Sequence, residues 1–225
     1  MGAPRRVGTV ACVARFVLRV WLPDRPGALG QVASRIGAVR GDVIGIEILE
    51  QGGGRAIDEL VVDLPEPGLV DALVREVGEV EGVDVEWVHR IGEEDHDPQL
   101  ALLEAAARLV ENLDEAWRLK RLCAEVRRAF DAGWAVVVDQ TEVTTVAGDG
   151  DAPPTAWIAA FVDGSRHLGG DADGGAEDVA WADLPGQHRA LVVGRSGRPF
   201  RARERRQLGV VARISAAAGQ ATRAG

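Results

Sequence analysis

Tyrosine is absent from this 225-residue chain, lysine occurs once, at Lys120, and aromatic residues make up only 4% of the sequence. The single lysine excludes a phosphate-cradling Walker loop, because that loop carries its own lysine and Lys120 lies outside any glycine-rich segment. The run Leu168, Gly169, Gly170 is too slight to serve as one. Nothing in the sequence is apolar for long enough to span a bilayer. Arg5-Arg6 precedes an apolar run, but Arg15 and Arg19 interrupt that run and no small-residue cleavage site closes it, so export is not expected. Only two cysteines occur, Cys12 and Cys123, each inside an apolar pattern. They are read as buried thiols of a cytoplasmic protein in preference to a disulfide or a metal site. The four histidines, His89, His96, His167 and His188, lack metal-ligand spacing, and no Gly-x-Ser-x-Gly elbow is present. With no acid-base, nucleophile or metal constellation, the expectation is a protein that is not an enzyme and needs no cofactor.

The net charge of -9 argues against general affinity for nucleic acid or an anionic membrane, although the charge is unevenly placed. Residues 131 to 186 carry a net -10 and residues 187 to 225 a net +8. Arg201, Arg203, Arg205 and Arg206 could meet phosphates, or the last helix could lie beside the acidic loop of its own domain. The second reading is preferred because no aromatic residue is interleaved for base stacking. Asp171, Asp173, Glu177 and Asp178 could hold calcium, but their spacing does not fit the twelve-residue calcium loop, and a solvated loop is the simpler reading.

What the sequence does have is a pinned turn. Leu22 to Leu29 reads Leu-Pro-Asp-Arg-Pro-Gly-Ala-Leu, between an alternating apolar run at 16–22 and a helical pattern through Leu29, Val32, Ala33, Ile36 and Val39. Pro26 suits a helix start, Gly27 permits close approach, and the first amides near Ala28 and Leu29 have no intrahelical acceptor. Such a turn can receive a carboxylate. Two further strands, 43–51 and 56–64, are joined across Gly52-Gly53-Gly54. A second helix follows through Val70, Leu73, Val74, Val77 and Val80, and a last strand alternates through Val83, Val85, Trp87, His89 and Ile91. Strand, helix, strand, strand, helix, strand is a split βαβ order, with four antiparallel strands and both helices on one face. Trp21 and several aliphatics then project from the other face, which a partner or a second copy should cover.

On Asp24, Arg25, Pro26, Gly27 and Leu29, followed by a helix of matching length and the full element order, residues 15–91 resemble an ACT domain, a regulatory module of amino-acid metabolism. The resemblance implies domains paired side by side with an amino acid at the interface. Asp24 would hold the ammonium, and Gly27, Ala28 and Leu29 would offer amides to the carboxylate. Val43 and Ile44 of the neighbouring chain would close the site. Members that sense serine carry a histidine where this chain has Leu22, which points to a more apolar ligand. Against that stands the simpler role of Asp24 as a helix cap.

Farther on, the pattern predicts one broken or two successive helices over 100–130, strands at 134–140 and 142–148, a short helix from Thr155, strands at 179–184 and 189–194, and a helix over 203–218. This half resembles a GAF-like sensor domain, chiefly in 191–214. Trp134, Trp157 and Trp181 could line a pocket or fill the core. The expected fold class is α+β: a ferredoxin-like βαββαβ ACT domain over 10–92, a linker over 93–98, and a small GAF-like α/β sheet-and-helix domain over 99–218. The expected function is non-catalytic regulation by a bound amino acid in a homo-oligomer, relayed to a protein partner. The alternative is a scaffold with no small-molecule ligand.

Overall fold

The computed structural model describes residues 13–92, 98–111, 114–167 and 177–224. They fall into two compact units, divided between residues 96 and 97. The fold is mixed α and β, with two four-stranded antiparallel sheets. Cys12, His96, residues 93–97 of the linker expected at 93–98, Leu168 to Gly170 and the acids Asp171 and Asp173 lie outside the described residues, while Pro98 already opens a helix.

The first unit runs β1 (Ala14–Pro23), α1 (Ala28–Ala38), β2 (Asp42–Gly52), β3 (Arg55–Leu64), a single 3-10 turn (Pro67–Leu69), α2 (Val70–Gly78) and β4 (Asp84–Ile91). The sheet order β2-β3-β1-β4 is that of a ferredoxin-like βαββαβ fold. Because β1 alternates strictly, Ala14, Phe16, Leu18, Val20 and Leu22 share one face. There they pack with Leu60, Val62 and Leu64 of β3, Val32 and Ile36 of α1, and Leu73 and Val77 of α2. Gly53 (φ 60°) and Gly54 (φ 78°) both occupy the left-handed region, as a tight β2-β3 hairpin requires.

The face without helices is not the exposed apolar surface that the sequence suggests. Val17, Ile57 and Val61 are buried, Trp21 is half-buried, and charge runs across the strands between them. Arg15 pairs with Asp63 (2.7 Å) and Arg19 with Glu59 (2.6 Å), each pair facing directly across β1 and β3. The Arg19 guanidinium lies over Trp87, which stacks on His89, and Arg55 lies over Trp21. The exposed aliphatics of this unit sit instead on β2, where Ile44, Ile46 and Ile48 are each more than 40% exposed. Among the described residues β2 has a strand on one side only.

The second unit runs α3 (Pro98–Glu111), α4 (Glu115–Ala129), β5 (Trp134–Asp139), β6 (Thr144–Gly150), α5 (Thr155–His167), β7 (Val179–Leu184), β8 (Arg189–Gly194) and α6 (Ala202–Ala224). Its sheet order is β6-β5-β8-β7. Both faces of this sheet are covered. Ala135, Val137, Leu191 and Val193 pack against Leu109, Leu122, Val126, Leu208 and Val211 of α3, α4 and α6, while Val136, Val138, Val179 and Val192 meet Ile158 and Val162 of α5. Asp114 caps α4 by accepting from the Trp117 amide (2.6 Å). No helix among the described residues is long and apolar enough to cross a membrane.

Candidate functional site

The turn from β1 into α1 is held at both ends by backbone. The Asp24 amide donates to the Gly54 carbonyl (3.0 Å) and the Arg25 amide to the Pro23 carbonyl (2.8 Å). Gly27 is the N-cap of α1 with φ 88°, and no side chain caps the helix. Asp24 therefore does not act as that cap. Its carboxylate is exposed beside the helix opening.

The remaining residues implied by the sequence divide in two. Ala28 is buried, and its amide is turned back onto the Arg25 carbonyl (3.3 Å), so it is a poor donor for a ligand. The first intrahelical bond runs from the Gln31 amide to the Gly27 carbonyl (3.0 Å), which leaves Leu29 and Gly30 in the first turn, where helical geometry supplies no acceptor. Leu29 packs its side chain partly against the core. Val43 also packs partly against the core from the helix side, whereas Ile44 sits at a register shift in β2 and is 42% exposed. Asp24, Gly27 and Leu29 are thus gathered at one opening, and Val43 and Ile44 lie on the edge strand.

Sequence reasoning missed Asp58. It pairs across β3 with Val20 on one side and Ile48 on the other, so its side chain is on the helix-covered face, in line with Leu60 and Val62. It is 3% exposed, and its Oδ1 has no hydrogen-bond partner among the described residues. Burial pushes the Asp58 carboxyl above the ordinary aspartate range, and the negative charge of Asp24 raises it further. The two carboxyl groups thus feel each other, the exposed one at the opening of α1 and the buried one on the helix-covered face of β3. The available signal was an acid between Ala56 and Leu60 on the inward face, where the alternation of β3 otherwise places apolar residues.

The second unit offers less. Cys123 is fully buried, with its thiol pushed up to about 12 chiefly by loss of solvent, which makes it unreactive at neutral pH. Trp134 and Trp181 pack against the α5 layer, Trp134 lying where a Cβ at Gly194 would sit, while Trp157 is 46% exposed and stacked on Phe161. Of the basic residues near α6, Arg205 donates to the Val179 carbonyl (3.1 Å). Among the described residues no group of three or more His, Cys, Asp or Glu is placed to hold a metal ion.

Comparison with known proteins assigns no family to the chain. No family model matches the chain, and no curated protein matches it. Similar solved structures include an uncharacterised protein of Thermotoga maritima at 21% identity, with 36% of this chain and 99% of that one covered and a TM-score of 0.29. Another is the ACT domain from a GTP pyrophosphokinase of Chlorobium tepidum, at 19% identity over 35% of this chain and 96% of that one, TM-score 0.27. A candidate glycine cleavage system transcriptional repressor is similar at 11% identity over 81% of this chain and 79% of that one, TM-score 0.33. The ferredoxin-like assignment of the first unit rests on the strand order and register of this chain itself.

Proposed function

We propose that the first unit senses a small α-amino acid with an apolar side chain, and that the chain is a non-catalytic regulatory protein of the cytoplasm which relays this binding to a protein partner. The observation that carries the reading is the buried Asp58 carboxyl, whose Oδ1 has no partner among the described residues and which feels the charge of Asp24 at the opening of α1. A ligand ammonium would neutralise this acid pair, and the ligand carboxylate would accept from the amides of Leu29 and Gly30, bonds that contribute about 1.5 to 3 kcal/mol each when one partner is charged. Val20, Leu22 and Ile48, on the same face as Asp58, favour an aliphatic side chain over a hydroxyl. The exposed isoleucines of β2 support side-by-side pairing of two copies along that edge, in place of the helix-free sheet face.

The test is titration calorimetry of the full chain with each proteinogenic amino acid, repeated on Asp58→Asn and Asp24→Ala. An aliphatic amino acid should bind wild type, and at a hundred times its Kd should add about 2.7 kcal/mol of stability. Both variants should bind at least about tenfold more weakly, a loss of about 1.4 kcal/mol. Failure of every amino acid to bind at millimolar concentration would overturn the sensor reading. The second reading, a scaffold, is favoured by α3: Leu100, Leu103, Ala107 and Val110 form an exposed apolar stripe, while Leu102, Ala105 and Leu109 are the residues it buries.

A further inference from the structure

Three arginines among the described residues are buried, and two of them are fully answered. Arg19 meets Glu59. Arg195 spends its fork on the carbonyls of Arg198 (3.0 Å), Phe130 (3.0 Å) and Pro199 (2.9 Å) and on the Glu204 carboxylate (2.9 Å). Arg118, 2% exposed in the first turn of α4, is the exception: its Nε and Nη1 are buried with no hydrogen-bond partner among the described residues. The acids one helical turn before it are engaged elsewhere, Asp114 by the Trp117 amide and Glu115 by Arg189. The cation also stands at the positive end of the α4 dipole, where an added positive charge is disfavoured.

The surroundings of Arg118 are shaped for it. A Cβ at Gly219 of α6 would collide with Nη2 and come within 3.2 Å of Cζ, so the guanidinium reaches bare helix backbone at Gly219, and a side chain there would have to displace it. Ser215, one turn earlier on the same face of α6, is 1% exposed and its hydroxyl also lacks a partner among the described residues. A buried guanidinium against Gly219 and a buried hydroxyl one turn away on the same helix, both without a partner among the described residues, are costly unless something with acceptor oxygens completes them.

We infer that Arg118 and Ser215, with Gly219 making room, form an anion site between α4 and α6 that encloses the carboxylate of a short-chain acid. A carboxylate oxygen that accepts from the charged Nη1 edge gains a bond to an ionised donor, and the hydroxyl supplies a second donor. One positive charge selects a monoanion, and the burial of both groups limits the ligand to a few carbons. This site is in the second unit and does not depend on amino-acid binding at α1.

The experiment is thermal unfolding and calorimetry of the full chain with acetate, and separately with inorganic phosphate, in the bulky sulfonate buffer HEPES at constant ionic strength. Acetate is taken to about 100 mM, a hundredfold excess over a Kd of about 1 mM. Acetate should bind saturably and raise the melting temperature of wild type. Arg118→Met should melt no lower than wild type without acetate, and its affinity for acetate should fall at least about tenfold. Ser215→Ala, which leaves the guanidinium in place, should fold normally and bind acetate about threefold or more weaker, and it decides the matter if Arg118→Met does not fold. Absence of saturable binding to wild type, equal binding to Arg118→Met, undiminished binding to Ser215→Ala, or binding of phosphate in place of acetate would each overturn the assignment.

Discussion

The two sheets have the same number of strands and the same antiparallel pairing, yet they are covered in different ways. In the second unit β5 is apolar on both faces, and Ala135, Val136, Val137 and Val138 are all buried because α4 and α6 lie on one side and α5 on the other. In the first unit β1 is apolar toward α1 and α2, while its other face carries Arg15 and Arg19 paired with Asp63 and Glu59. A strand between two helix layers is a continuous aliphatic run, whereas a strand with helices on one side can place ion pairs on the other. A sheet with one helix layer leaves its other face and the β2 edge without helix cover among the described residues.

The largest effect should come from breaking the symmetry of cover in the second unit. Val136→Asp and Val137→Asp place an unpaired carboxylate on opposite faces of the same strand, and each should cost more than about 4 kcal/mol. Denaturant unfolding of the full chain checks this. If one of the two is tolerated, the face it tests is not a true core layer.

Next comes the charged face of the first unit. Arg19 is 1% exposed, so Arg19→Met alone strands the partly buried Glu59 and should cost about 3 kcal/mol. Arg19→Met with Glu59→Leu should recover most of that loss, which would show that this face tolerates an apolar surface like those of the second unit. If the double variant remains as unstable as the single one, the pair itself contributes to stability.

Much of this difference could be read from the sequence, and the parts that could not have local causes. The alternation of β1 and the run in β5 are plain in Phe16-Val17-Leu18-Arg19-Val20 and Ala135-Val136-Val137-Val138. In β4 the odd positions Val83 to Ile91 look like one face, but the register shifts between Arg19 and Val20, with Arg19 opposite Trp87 and Val20 opposite Val85. Val83 and Val85 therefore join the helix-side core, and Trp87 and His89 turn to the other face. A bulge between two apolar stretches leaves no mark on the pattern. Likewise β6 begins at Thr144, two residues later than its pattern suggests. The Asp139 side chain accepts from the Thr141 and Glu142 amides and draws 140–143 into the turn. Those bonds, the Glu142 amide foremost, also hold the Asp139 carboxyl below the usual carboxylate range. At the candidate site the turn was legible from its prolines and glycine. Asp58 was not, because its role depends on which strands flank β3.

The Asp58 carboxyl gives the comparison a pH signature. Its folded-state pKa lies above the unfolded value of 3.8, through burial first and Asp24 second, so the folded state holds the proton more tightly. The stabilisation this provides is complete below the unfolded pKa and is lost as pH rises through the folded one. Asp58→Asn should remove that decline, melting higher than wild type near pH 8 and no higher near pH 3, read as melting temperature against pH. A variant that parallels wild type at every pH would mean that Asp58 is not the titrating group. The same variant should lose amino-acid affinity, so that stability and binding move in opposite directions, as expected of a residue kept for a ligand.

The smallest effect isolates backbone from space. A Cβ would meet nothing within 4 Å at Gly27 in the first unit or at Gly164 inside α5 in the second. Only Gly27 has a positive φ, 88°. Adding a methyl at Gly164 removes glycine's entropy cost in a helix and should stabilise by about 0.5 to 1 kcal/mol. The same methyl at Gly27 forces an L residue into the left-handed region and should destabilise by about 1 kcal/mol. Since neither methyl touches a neighbour, opposite signs in paired melting curves would show that the opening of α1 is held in a conformation chosen for its amides at some cost to stability. Equal signs would show that the turn relaxes to an ordinary conformation and that its geometry is not fixed for a ligand.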